Sequence, residues 1–255
     1  MSEAVRHTRA LRQMLSRQFL QGLLRTPRGR AYLLTQAGIA EETDEGAIFT
    51  QLEARVGDPE LQRMVKRHAA DEVRHATVFF AAADRQGVGR PHIPQEIQML
   101  PLLNARLGLF ARPLETDENV MEAYLLLQVL EERALEQFEV IEPAMRRFDP
   151  KAADDIASIA QDEERHLLYC RAIAKRYAPS PERLEQRLRA FREAEVRAFH
   201  EHQIKGLGHL LANGFLPAGK AWCWRNAVSL LSRAGTLPYT RYYGEVHAGP
   251  VAAAA

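Results

Sequence analysis

Two short stretches constrain this chain more than anything else in it: Asp-Glu-Val-Arg-His at Asp71–His75 and Asp-Glu-Glu-Arg-His at Asp162–His166. Each contains Glu-x-x-His, Glu72 with His75 and Glu163 with His166. Residues three apart share a helix face, so each stretch aims a carboxylate and an imidazole the same way. Each also follows an Asp-Pro at one interval, 72 − 58 = 14 and 163 − 149 = 14. Asp followed by Pro is a helix start, the Asp as cap and the Pro in the first turn. One Glu-x-x-His is a weak signal, but two in matching frames indicate a metal-ligand helix used twice.

The surrounding sequence is helical throughout. Ala, Leu, Arg, Glu and Gln dominate, and alternating β-branched runs are missing. A first helix is predicted over Ser2–Arg25, stopped by Pro27, and a long one over Gly29–Val56, stopped by Gly57-Asp58-Pro59. The next starts at Asp58 and ends near Gly87-Val88-Gly89. Pro91, Pro94, Pro101 and Pro113 make Gly87–Thr116 a crossover with at most one short helix, around Leu102–Phe110. Thr116 or Asp117 caps a third long helix that Pro143 kinks or ends. Asp149-Pro150 starts the fourth, which stops before Pro179, and Ser180-Pro181 opens a fifth that runs to Asn213-Gly214. A shorter helix around Ala218–Arg233 and an Ala-rich tail complete the chain. Two helix pairs joined by a long connection are what a four-helix bundle with one crossover requires. The expected fold is all-α and one domain. Residues 1–27 form an N-terminal helix, 28–178 a four-helix core, 179–240 a C-terminal extension of two helices, and 241–255 a tail.

Composition narrows the function. Lys and Arg total 34 against 33 Asp and Glu, a net charge of +1, which gives no reason to expect nucleic acid. No run of 18 apolar residues occurs, so a membrane span is not expected. Two cysteines, Cys170 and Cys223, suit a reducing, cytoplasmic setting better than a disulfide framework. From Met1 to Tyr32 the only acid is Glu3 among several arginines, the pattern of a transit peptide. The helical spacing of Leu11, Leu15, Phe19 and Leu23 favours a packed helix instead.

A bundle interior tolerates Glu and His when they are paired or bound to metal. Two ions such as iron or manganese need more carboxylates than the two motifs hold, and these must come from core helices one and three. Helix one offers Glu41, Glu42 and Glu45, and helix three offers Glu131, Glu132 and Glu136. Glu42 precedes Glu72 by 72 − 42 = 30 residues, and Glu132 precedes Glu163 by 163 − 132 = 31. Each spacing allows half a helix up and half down, with both ligands at one height. Aligning Phe49 with Phe138 selects Glu42 and Glu131 instead. Glu42 and Glu132 are preferred, with Glu131 a substitute for Glu132, and Glu41 or Glu45 for Glu42.

On these residues the chain resembles the ferritin-like di-iron carboxylate superfamily over about Ala40–Arg171. Glu132-Arg133-Ala134 and Asp162–His166 are similar to acyl-carrier-protein desaturases. The same layout occurs in aldehyde-deformylating oxygenases, arylamine N-oxygenases, and rubrerythrin or bacterioferritin. The resemblance implies two irons, or manganese in one or both places. Glu72 and Glu163 would bridge or chelate them, His75 and His166 would bind one each, and Glu42 and Glu132 would be terminal. It implies an O2-dependent oxidase or oxygenase of a small organic molecule, fed by an electron donor and assembled as a homodimer. The alternative it implies is a ferroxidase or peroxide scavenger. It also sets Asp71 and Asp162 across the bundle, each near the histidine of the opposite motif, to orient its ring. His68, His200, His202 and His209 are expected off the metal. Tyr124 and Cys170 are read as core, and Phe79 and Phe80 as core or as the wall of a substrate cavity.

Overall fold

The computed structural model describes residues 14–42, 45–109, 113–216, 219–220 and 222–226, with the backbone alone for 45–47. Among these the chain is all-helical, with no strand. Residues 14–23 form α1. It is followed by α2 (Pro27–Glu42), α3 (Glu45–Arg55), α4 (Pro59–Asp84), a 3-10 turn (Gln95–Ile97), α5 (Met99–Leu107), α6 (Asp117–Met145), α7 (Pro150–Tyr177) and α8 (Pro181–Ala212). Residues 219–220 and 222–226 are helical as well. No described helix is long and apolar enough to cross a membrane.

The starts follow the capping chemistry. Asp58 accepts hydrogen bonds from the N–H groups of Glu60 and Leu61 at 2.8 and 3.1 Å, with Pro59 next. Asp149 accepts from Ala152 N–H at 3.0 Å, followed by Pro150. Thr116 and Asn119 cap α6 reciprocally, and Ser180 caps α8. Because both Asp caps fix where their helices begin, Glu72 and Glu163 stand equally far along α4 and α7, about 21 Å at 1.5 Å per residue.

Three boundaries differ from the sequence reading. The predicted helix over 29–56 is two helices, α2 and α3, and Thr43 and Asp44 between them lie outside the described residues. The crossover helix begins three residues early, at Met99, and ends where Gly108 takes φ +63°. Glycine adopts that left-handed conformation without steric cost and so closes the helix. Pro143 lies inside α6, which runs two residues further, to Met145. The predicted helices at 1–13 and 227–233, the Arg-rich start and the Ala-rich tail lie outside the described residues.

The packing forms a polar layer between two apolar ones. One apolar cluster joins Leu52, Val65, Leu103, Leu125 and Ile173; the other joins Leu34, Phe79, Phe138, Met145 and Ile156. The stretches 68–75 of α4, 131–136 of α6 and 162–166 of α7 lie between them. α4 and α7 run antiparallel: Gln86 and Arg85 at the end of α4 bond Asp149 and Asp155 at the start of α7, both at 2.7 Å. α2 and α4 approach closely at Gly38, where a Cβ would stand 2.7 Å from the Phe80 ring. α8 lies against α5, the 3-10 turn and α6.

Candidate metal centre

Two groups of side chains converge in the polar layer. His68, Glu72, Glu131 and His166 form one, and Glu41, Glu72, His75 and Glu163 the other; in each, the donor atoms lie within 4.8 Å of one another. Glu72 belongs to both. All are buried except Glu41, which is half-buried. Oε1 of Glu163 lies 3.0 Å from His75 Nδ1, and its Oε2 lies 2.7 Å from His166 Nδ1. Oε1 of Glu72 lies 3.0 Å from His166 Nδ1 and 3.1 Å from His68 Nε2. Glu72 and Glu163 thus stand between the imidazoles.

Behind the imidazoles the two motifs cross. His75 donates from Nε2 to Asp162 at 3.4 Å, and His166 donates from Nε2 to Asp71 at 3.2 Å. The resemblance implied this exchange, and the antiparallel packing of α4 on α7 produces it. An ionised carboxylate only accepts, so it fixes a proton on Nε2 and leaves Nδ1 as the nitrogen that faces the centre. Arg165 bonds both Asp71 and Asp162, at 2.7 and 2.5 Å, and Arg74 bonds the same pair. Although partial burial pushes the Asp71 carboxyl up, the bonds from Arg165, His166 and Arg74 outweigh it and hold it at about 2.

The inner groups satisfy one another only in part: His166 Nδ1 bonds Glu163 Oε2 at 2.7 Å, and His68 Nε2 bonds Glu131 Oε1 at 2.9 Å. Oε1 of Glu72, Oε1 of Glu163, Nδ1 of His75 and Nδ1 of His68 are buried without a hydrogen bond. A buried polar atom lacking a partner is costly, and two of these four, Glu163 Oε1 and His75 Nδ1, stand 3.0 Å apart in the centre. Burial, followed by the negative charges of Glu131 and Glu72, pushes the Glu163 carboxyl up to about 7. Burial opposes a charged His75, but the carboxylates of Glu163 and Glu72, 3.0 and 3.8 Å from its Nδ1, prevail and raise it to about 9. His166 and His68 are raised for the same reason, in each case against burial. Protons on the three imidazoles therefore offset most of the carboxylate charge in the metal-free protein. Two divalent cations (+4) would offset all four carboxylates (−4). The donor set, oxygen-rich with some imidazole, suits iron and manganese.

Two predicted ligands are elsewhere. Glu42 is the last residue of α2 and exposed, and Glu41 takes its place in the centre. Glu132 is buried but turned to α8: it accepts from Arg192 Nε at 2.9 Å, from a second Arg192 nitrogen, and from Gln128 at 3.0 Å. Glu131, roughly 100° around the helix, faces the centre. Glu136 pairs with Arg133, which also bonds Glu195 of α8 at 2.7 and 2.9 Å. The third correction is His68, expected at a surface or core edge. It is wholly buried, 2.9 Å from Glu131, and stacked on His166 with ring centroids 3.9 Å apart. Its signal in the sequence is the spacing 68, 72, 75, a single helical stripe through Glu72 and His75.

The remaining candidates fall outside the centre. His202 approaches Ile97 O at 2.5 Å, and His209 stacks on Tyr32. Tyr124 and Cys170 lie in an apolar cluster, as read from the sequence. Compared with protein-family models, curated proteins and solved structures, the chain matches none of them significantly.

Proposed function

We propose that this chain is a ferritin-like dinuclear metal oxidoreductase: an O2-dependent oxidase or oxygenase of a small organic molecule, holding two irons or manganese in one or both positions. The observation that carries the reading is the pair of buried donor groups sharing Glu72, with inward oxygens and a nitrogen that lack hydrogen bonds. Glu41, Glu72, His75, Glu131, Glu163 and His166, joined by His68, would hold the ions. When bound, such a pair supplies the redox chemistry of O2 reduction and substrate oxidation. The chain's own residues prepare for it. Asp71 and Asp162 set the rings, Arg74 and Arg165 keep those two acids ionised, and the apolar clusters above and below exclude water. Supporting an oxygenase rather than an iron store, α8 is joined to the core by buried ion pairs beside the centre, so the extension is part of the site's architecture.

The test is anaerobic loading of metal-free protein with Fe(II), followed by metal analysis, size-exclusion chromatography and O2 uptake with and without organic substrates. About two irons per chain, in a small assembly whose O2 uptake depends on substrate, is the expected result. A cage-sized assembly that takes up many irons would favour the ferroxidase alternative. No bound metal would overturn both. Glu72→Ala and His166→Ala should each abolish the two-ion stoichiometry, and a variant that keeps it would remove that residue from the ligand set.

A further inference from the structure

We propose that the two metal positions are chemically unequal, and that His68 makes them so. The position bounded by His68 and His166 fills first and selects a nitrogen-seeking divalent ion. The position bounded by Glu41, His75 and Glu163 fills second and accepts an oxygen-preferring one. The inference rests on the dinuclear reading above and adds an order and a selectivity to it.

The two motifs match through their Asp-Pro caps, their Asp-Glu pairs and their crossed Asp–His bonds, and they part four residues before the shared Glu. In α4 that position is His68, 72 − 4 = 68; in α7 it is Ile159, 163 − 4 = 159, a buried apolar residue. An otherwise repeated centre therefore receives a third imidazole on one side only. His68 Nε2 lies 2.9 Å from Glu131 Oε1 and 3.1 Å from Glu72 Oε1, and His166 Nδ1 lies 3.0 Å from that same Glu72 oxygen. One group thus has two imidazoles and two carboxylates, and the other has one imidazole and three carboxylates.

Two further observations set His68 apart from a packing histidine. Its Nδ1 is buried and makes no hydrogen bond, so all its polar contacts are made from Nε2, toward the centre. The ring is also held in place, stacked on His166 and with its centroid 4.7 Å from that of Phe49. Imidazole suits Fe(II), Co(II) and Zn(II), whereas carboxylate suits Mn(II) and Mg(II). Replacing one carboxylate by a second imidazole tilts the first group toward the former ions and leaves the second group better matched to the latter.

The test titrates the metal-free full chain with Co(II), followed by calorimetry and visible absorption, and then with equimolar Co(II) and Mn(II), followed by metal analysis and Mn(II) electron paramagnetic resonance. Wild type should take Co(II) in two separated phases, and in the mixture Mn(II) should compete measurably for the second position alone. His68→Ala should weaken the tighter phase by at least about tenfold, while His75→Ala weakens the second. Circular dichroism checks that both variants fold, and His68→Asn replaces His68→Ala if the latter does not. Two equal phases in wild type, no discrimination in the mixture, or an unchanged tight phase in the folded His68 variant would overturn the inference and leave the dinuclear reading standing. Fewer than two ions bound to wild type would overturn that reading as well.

Discussion

Arg192→Met separates the residues that hold α6 in place from those that face the centre. Glu132 and Arg192 are 2% and 5% exposed, and the guanidinium bonds both carboxylate oxygens. Without it, Glu132 keeps only the amide of Gln128. Removing one partner of a buried pair costs about 3–5 kcal/mol, because the other charge stays buried and unpaired. At about 2–4 °C per kcal/mol for a chain of this size, the metal-free protein should melt about 6–20 °C lower. Replacing both partners, Glu132→Leu with Arg192→Met, removes the orphaned charge and should recover most of the loss. About 1 kcal/mol should remain for the Gln128 amide left without its acceptor. Thermal and urea unfolding in chelator, followed by circular dichroism, measures both variants. Metal analysis supplies the functional arm: the double variant should still bind two ions, and Glu131→Ala should not. An Arg192→Met melting point within about 2 °C of wild type would refute the stability argument. Loss of an ion from the folded double variant would return Glu132 to the ligand set.

Asp71→Asn removes the acceptor that fixes His166 and should weaken binding at that ion about 10–100-fold. Asp154→Asn, on an exposed residue paired with Arg146, is the control, and an equal loss in both would remove the orienting role. Metal binding should release protons at pH 7. His75 is raised from its ordinary 6.5 to about 9 in the metal-free fold and His166 is raised further, so both arrive protonated and must give up the proton to bind. The raised His75 stabilises the metal-free fold below about 6.5 and loses that contribution as pH passes 9, while apparent metal affinity rises over the same interval. Calorimetry in buffers of different ionisation enthalpy measures the release, and proton-neutral binding would contradict it.

What the sequence determined by itself is local. Asp58-Pro59 and Asp149-Pro150 start their helices because a capping carboxylate and a fixed φ act within one turn. Glu72 and His75, like Glu163 and His166, share a face because three residues are nearly one turn. The crossed Asp–His bonds lie beyond that local reach: the resemblance implies them, and the antiparallel packing of α4 on α7 makes them. Only the tertiary structure decided among neighbours. Glu131 and Glu132 are both buried, since α6 has the centre on one side and α8 on the other; Arg192, 60 residues away, takes Glu132 and leaves Glu131 inward. Glu41 rather than Glu42 enters the centre because α2 ends at Glu42 with that side chain in solvent. His68 lies on the ligand stripe in any helix, but whether an imidazole one turn back meets metal or packing depends on what the facing helices bring. Here α6 brings Glu131 and α7 brings His166. Spacing along one helix fixes direction, but a ligand is defined by convergence, and convergence belongs to the packing of several.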